Sequence, residues 1–325
     1  MDKKWILNTV DFLKKIENQN YTWTLSEKNN KLSNNAKLSA VALFAKCAYI
    51  FKNYHNFDEN KIFEIIKKYR QTNGYFIDNT KDQENIIAET RQAISGIINL
   101  NKKKLIDCHV DLKVYYPDKN NLYFMNDKLW NRPWSAGARM SHYMFFLQLE
   151  NNKKKIKNLL KKLKKYERKD GWYNEKAEEH IRINGIMKVF TGLDIIQFNY
   201  KSIENLLKKI IDNLLKTSPN DKKGSKGCNI YDFVYVLCKY KLINYREKEC
   251  KDKLMKIYHL ILNLQHDDGG FSSKSNNKTS PKMYGKKIYS GRNQGGIHGT
   301  TLFCMALCMI DKACDLNLNL NIPIS

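Results

Sequence analysis

Apolar residues recur along this chain at the three- and four-residue spacing of helices, and they fall into two kinds of segment. The first kind sets an apolar stripe against lysine and predicts half-exposed helices over 3–18, 58–71, 120–130, 151–166, 202–217 and 246–265. The second kind is apolar most of the way round and predicts buried helices over 35–54, 82–101, 134–149, 178–197, 228–241 and 294–312. The two kinds alternate, which makes six helical hairpins. Proline is scarce and no stretch sustains the two-residue alternation of a strand, so the fold class is all-α.

The hairpins keep a period. The turns 71-QTNGYF-76, 168-RKDGWY-173 and 265-QHDDGGF-271 each place a glycine before an aromatic, after a lysine-rich helix and ahead of an apolar one. Gly74, Gly171 and Gly269 lie 97 and 98 residues apart, and further helix starts at Ser135 and Cys228 fall midway, giving a repeat of about 49 residues. A helix that is apolar all round must be buried all round. Six of them predict an (α/α)6 toroid, a single domain over 1–325 with the apolar helices as an inner ring and the lysine-rich helices outside. Parallel inner helices gather their N-termini at one end, where unsatisfied N–H groups and helix dipoles favour anions. The stretch 272–293, SSKSNNKTSPKMYGKKIYSGRN, is the longest irregular one and is expected to be a lid or a disordered segment.

Composition adds limits. A hydrophobic fraction of 42% is enough for a folded core. No uninterrupted apolar run approaches the ~20 residues that span a bilayer. The opening MDKKWILNTVDFLKK reads as an amphipathic helix and not as a secretory signal. Of eight cysteines, Cys47, Cys238, Cys304 and Cys308 lie inside apolar helical runs and none forms a C-x-x-C pair, which fits a reducing, cytoplasmic location. The net charge of +24 is carried mostly by lysine in amphipathic runs such as 153-KKKIKNLLKKLKK-165 and 203-IENLLKKIIDNLLK-216. General lysine and asparagine richness accounts for such solvated faces, so charge alone names neither nucleic acid nor another acidic partner.

Candidate chemistry sits where polar residues interrupt the apolar helices. Glu89, Arg91 and Gln92 do so in 85-NIIAETRQAISG-96. Arg139 and His142 share a face of 134-WSAGARMSHYMFF-146, behind Trp134. His180, Asn184 and Lys188 form a stripe at four-residue spacing in 178-EEHIRINGIMKVFTG-192, with Arg182 beside it. Asp232 stands in the apolar run 227-GCNIYDFVYVL-237, where a carboxylate with a perturbed pKa is expected. His298 opens a buried helix among the glycines of 294-QGGIHGTTLF-303. Each residue alone has a structural alternative, a buried ion pair or a satisfied core histidine. Together His142, His180, His298, Arg91, Arg139, Arg182, Lys188, Glu89 and Asp232 come from five inner helices and favour one cationic cavity with an anionic guest. In that cavity His298, Asp232, His180, His142 and Glu89 are the candidate acids and bases. Arg91, Arg139, Arg182, Asn184, Lys188, Trp134 and Trp172 are the candidate substrate-binding residues.

The turn 265-QHDDGGF-271, echoed by Asp170-Gly171-Trp172 and by Gln71 with Gly74-Tyr75-Phe76, resembles the recurring turn of the terpenoid-cyclase and protein-prenyltransferase toroid superfamily. So does 295-GGIHGTTLFCMAL-307, which is similar to a late inner helix of that group. The resemblance covers most of the chain and implies a toroid acting on an isoprenoid diphosphate or similar anionic substrate, and for the transferases a second subunit and a zinc ion. Its zinc ligands carry over to Cys228 and His298. Lys226 stands where the family's aspartate belongs, and Asp232, one turn further on, is the substitute. The D-x-D-D acid of alkene-protonating cyclases has no counterpart. Carbohydrate-active α/α toroids use comparable Asp-Gly-aromatic turns, so a uronate lyase, epimerase or glycoside hydrolase acting on a saccharide stands beside the isoprenoid reading. A non-catalytic basic binding protein is the third. With no P-loop, G-x-G-x-x-G, H-E-x-x-H or G-x-S-x-G, readings as an NTP, NAD or serine-hydrolase enzyme have no support.

Overall fold

The computed structural model describes residues 3–25, 37–78, 82–101, 126–177, 179–219, 226–272, 282–283, 286–287 and 294–324. Eleven α-helices run through them, and the protein is mainly helical. They are α1 (Lys4–Asn18), α2 (Lys37–Ile50), α3 (Glu59–Lys67), α4 (Gln83–Asn101), α5 (Pro133–Leu149), α6 (Lys153–Leu163), α7 (Glu179–Ile195), α8 (Glu204–Lys216), α9 (Lys226–Leu237), α10 (Glu247–Leu262) and α11 (Ile297–Cys314). Half-exposed and buried helices alternate at the expected places, with one difference. The helix expected over 120–130 is, where it is described, a single 3-10 turn at Leu129–Asn131. The Asn126 side chain accepts the Lys128 N–H and opens a turn there. Arg132, held extended ahead of Pro133, then stops any continuation into α5. Of 272–293, Lys282–Met283 and Lys286–Lys287 pair as a short antiparallel ladder. The expectation of a lid or disordered segment otherwise lies outside the described residues.

The chain falls into two compact units. Unit 1 holds residues 1–110, 223–231 and 255–325. In it α2 is buried along its whole length except at Lys37 and Tyr49, because its apolar residues leave no wet face. Gly96 of α4 lets that helix approach Ala42 and Ala45 of α2. The first two helices pack on the last part of the chain. Gln265 donates its side-chain amide to Trp5 O, Thr9 Oγ1 and Gly269 O, and the Trp5 indole N–H donates to Tyr258 Oη at 3.1 Å. At α11, Thr301 Oγ1 lies 3.2 Å from Cys47 Sγ and donates to Ile297 O, while the Ile297 N–H donates to Trp23 O. Residues 315–324 strap the helix ends: Asn99 exchanges two hydrogen bonds with the Ile324 backbone, and Leu318 N–H donates to Asp311. α11 is the one described helix long and apolar enough to cross a membrane, but 72% of it is buried within the protein, as befits a core helix.

Unit 2 holds residues 111–222 and 232–254. Its centre is the pair α5 and α7, which run parallel: Pro133 meets Gly185, Gly137 meets Lys188 and Val189, and Ser141 meets Thr191 and Gly192. Small residues at every crossing bring the two backbones together. A Cβ on Gly185 would stand 2.5 Å from Pro133 Cβ. The helix α6 contributes Leu159 and Leu163 to the core and turns its lysines outward.

The repeat seen in the turns has a structural form in each unit. Arg70 bridges Phe76, Glu167–Arg168 ladders with Gly171–Trp172, and Gln265 bridges Phe271, so each turn closes a small antiparallel pair. Gly74 and Gly269 reach φ of 86° and 89°, where a side chain is strained. The phenylalanine two residues after the glycine then donates its backbone N–H to a threonine of the following buried helix, Phe76 to Thr90 and Phe271 to Thr300. Asparagine supplies much of the remaining left-handed backbone, at Asn20, Asn151, Asn244, Asn317 and Asn319, a use for a residue that composition alone left unexplained.

The α5–α7 seam yields a stability test. Gly185→Ala overpacks it and should cost about 1–3 kcal/mol in urea unfolding. Gly96→Ala, whose Cβ would be 3.4 Å from its nearest neighbours, should stay within about 1 kcal/mol of wild type.

Candidate functional site

The site is built on α7 and on the part of α9 from Asp232 onward, both in unit 2. Asn184 and Lys188 are one turn apart on α7, and Asp232 lies on α9, 48 residues beyond Asn184 and so one repeat further along. Asn184 Nδ2 donates to Asp232 Oδ2 at 2.6 Å. Asp232 is 3% exposed. Burial pushes its carboxyl up to about pH 6, against the opposing pull of the Lys188 ammonium and the Asn184 hydrogen bond. Lys188 does not close on the carboxylate as an ion pair. Its Nζ stands over the Trp134 ring, 5.7 Å from the centroid. Trp134, in the first turn of α5, is 49% exposed, so the cluster runs from a buried acid through a cation to an open aromatic face.

Arg182 lies two residues before Asn184 on α7. Its guanidinium stacks on Tyr173 at 4.3 Å and donates twice to Ala177 O, which ties down the chain entering α7. Arg139 and His142 are half-buried on α5 of the same unit. His180 belongs to α7 by its backbone, and its side chain lies outside the described residues.

Other expectations are corrected. Trp172 is 2% exposed and packs edge-on against Phe190, so its ring is core and offers no binding face. Glu89 is buried in α4 of unit 1 and accepts the Asp78 N–H, while Asp78 in turn accepts the Leu38 N–H at the start of α2. That chain satisfies backbone donors at a helix entrance, which is a structural task. Arg91 is buried and His298 half-buried in unit 1. Among the described residues no three His, Cys, Asp or Glu side chains are grouped so as to hold a metal ion. The zinc set of Cys228, His298 and Asp232 is therefore not gathered among the described residues, and the Asp232 carboxylate is engaged by Asn184.

A scan against protein-family models finds no match, and a search of curated proteins finds none either. What this chain can do rests on its own residues.

Two clusters escaped the reading of the sequence. Lys46, a lone cation inside the apolar run of α2, is 4% exposed and donates to Gln92 Oε1 at 3.1 Å. Its isolation among apolar residues was the available signal. Asp194 gathers the Tyr200 and Tyr235 hydroxyls and the Lys239 ammonium at the C-terminal ends of α7 and α9. Burial and the Asp194 charge push the Tyr200 phenol well above its usual range. Every member of that group is engaged by another, so it braces the helix ends.

Because the folded-state pKa of Asp232 lies above the ordinary aspartate value, its contribution to stability is full below about pH 4 and is lost as pH rises through about 6. Asp232→Asn keeps the acceptor for Asn184 without the buried charge. It should raise the thermal midpoint at pH 7–8 by roughly 2–5 °C and leave it unchanged near pH 4, as read by calorimetry across that range.

Proposed function

We propose that the chain is a non-redox enzyme that binds an anionic substrate beside Lys188 and Trp134 and uses Asp232 for proton transfer. The observation that carries this is a fully buried carboxyl, with a pKa near 6, hydrogen-bonded to Asn184 and, among the described residues, not closed into an ion pair with the Lys188 ammonium. An acid with its pKa near the working pH is suited to take a proton in one step and return it in the next. Asn184 orients the carboxylate. Lys188 supplies a charge against which a phosphate or carboxylate of the substrate settles, and that charge holds Asp232 ionised more readily once the cation is not neutralised by substrate.

The finer fold proposed is the (α/α)6 toroid, related to terpenoid cyclases and prenyltransferases, with the substrate an isoprenoid diphosphate or similar anion. Three features support it: the alternation of half-exposed and buried helices, the parallel course of α5 and α7, and the packing of α1 and α2 on α10 and α11, which brings the first hairpin against the last. The exposed Trp134 face beside the polar trio favours a second reading, a carbohydrate-active toroid that takes an anionic saccharide.

Titration calorimetry with inorganic diphosphate and with a glucuronate disaccharide separates these readings. The isoprenoid reading expects diphosphate to bind and Lys188→Gln to weaken it about tenfold, close to 1.4 kcal/mol. The saccharide reading expects the disaccharide to bind and Trp134→Ala to abolish its binding. Binding of neither probe, or binding indifferent to both substitutions, overturns the assignment of this site.

A further inference from the structure

The lysine of this protein is spread widely, but its acids are not spread in step with it. Each of the other lysine-rich helices carries carboxylates among its lysines: Asp11 and Glu17 in α1, Glu59 and Glu64 in α3, Glu204 and Asp212 in α8, Glu247, Glu249 and Asp252 in α10. Several close as ion pairs along the helix, such as Lys14 with Asp11, Lys208 with Glu204 and Lys251 with Glu247. The helix α6 has six lysines in 11 residues and no acid, and Lys164 and Lys165 continue the run into the following 3-10 turn. Carboxylates meet the stretch at its C-terminal end, where Glu167 pairs with Lys164 and Asp127 with Lys165.

This arrangement works against the helix itself. Lys153, Lys154 and Lys155 occupy the first turn, where the helix dipole is already positive. Lys153 with Lys157 and Lys157 with Lys161 are like charges four apart, each pair unfavourable by about 0.2–0.5 kcal/mol. A general enrichment in lysine raises the count everywhere, but it does not strip the acids from one of the five described lysine-rich helices. A segment that breaks the local rules of helix stability is where a function is to be sought.

The geometry of the face defines its partner. At 3.6 residues per turn Lys154 and Lys161 form a central row opposite the buried Leu159 and Leu163, with Lys153 and Lys157 on one flank and Lys155 and Lys162 on the other. All six are exposed. The helix is about 16 Å long, and its cations point to both sides of its axis. No exposed aromatic stands between 153 and 163 to stack on an unpaired base, and Tyr166 just beyond is buried against Trp130. None of the large exposed apolar residues belongs to α6, so the face lacks the anchors of a helix that lies in a membrane surface. The major groove of B-form DNA, about 12 Å wide, admits a helix between two walls of phosphate, whereas the deep, narrow groove of an RNA duplex does not.

We propose that the lysine face of α6 binds the phosphate backbone of duplex DNA without sequence preference. The binding is a charge-neutralising contact, independent of the Asp232 site.

The test is fluorescence anisotropy with a labelled 20-base-pair DNA duplex between 50 and 200 mM KCl. Four phosphate contacts give a slope near −3.6 in log affinity against log salt, roughly a 150-fold loss over that range. The variant with Lys154, Lys157, Lys161 and Lys162 changed to Gln should lose nearly all of this slope and weaken binding at 50 mM salt on the order of 100-fold. Arginine at the same four positions should restore binding, and circular dichroism checks that α6 stays helical. A control with Lys201, Lys209, Lys248 and Lys256 changed to Gln removes the same charge from other exposed sites and should cost less than about fivefold. Equal losses in the two glutamine variants would show diffuse attraction and overturn the proposal. So would an RNA duplex of the same length bound as tightly as the DNA, or phosphatidylserine vesicles captured through these lysines in preference to DNA.

Discussion

A helix that is apolar on every side cannot be satisfied by one neighbour, and this requirement organises the protein. The helix α2 is buried from Leu38 to Ile50 apart from Tyr49, so it needs α4, α11 and the chain around Tyr21 and Asp78 to cover it. The helix α11 makes the same demand from Ile297 to Ala313. Because these helices need flanking partners, their backbones must come close, and glycine and alanine mark the approaches: Gly96 on Ala42 and Ala45, Gly137 on Val189, Gly192 on Ser141. The half-exposed helices cover only one side and are free to spend the other on lysine. Their water-facing composition then carries little information about the fold and can take on a role of its own, as α6 does.

The same burial that holds the fold together sets the chemistry of its few interior ions. Glu89 and Asp232 occupy comparable places in apolar helices, yet they differ in what surrounds them. Glu89 is paired with the Asp78 backbone at a helix entrance and completes a hydrogen-bond chain to α2. Among the described residues Asp232 has the Asn184 amide and a cation that lies elsewhere, over Trp134, so its ionised form is under-compensated and its proton is held up to about pH 6. A site of this kind costs stability where the protein works, a cost that is reasonable at a catalytic carboxyl and wasteful in a merely structural one.

Most of the helical framework was legible in the sequence, because hydrophobic periodicity and glycine-aromatic turns are local signals. The three turns at Gly74, Gly171 and Gly269 announced the repeat, and each closes a small antiparallel pair in the structure. Of the helix expected over 120–130, the described part is a single 3-10 turn, since an Asn-led turn and a pre-proline residue outweigh the apolar spacing there. Trp172 is buried against Phe190, and nothing in a sequence says toward which side a buried-helix neighbour turns its ring. The strap formed by residues 315–324 left no trace in periodicity at all, being extended chain held through side chains such as Asn99 and Asp311 that are distant along the sequence or on another helix.

Alone, the sequence determined what depends on neighbours along the chain: which segments are helical, which of them have a wet face, where they turn, and that α6 is a cationic helix without acids. Only the tertiary structure decided which of the interior polar residues are spent on holding the fold and which are left available. That choice depends on distances between residues about one repeat or more apart, such as Asn184 to Asp232, and on how far water is excluded around them, and neither quantity is written in the order of the residues.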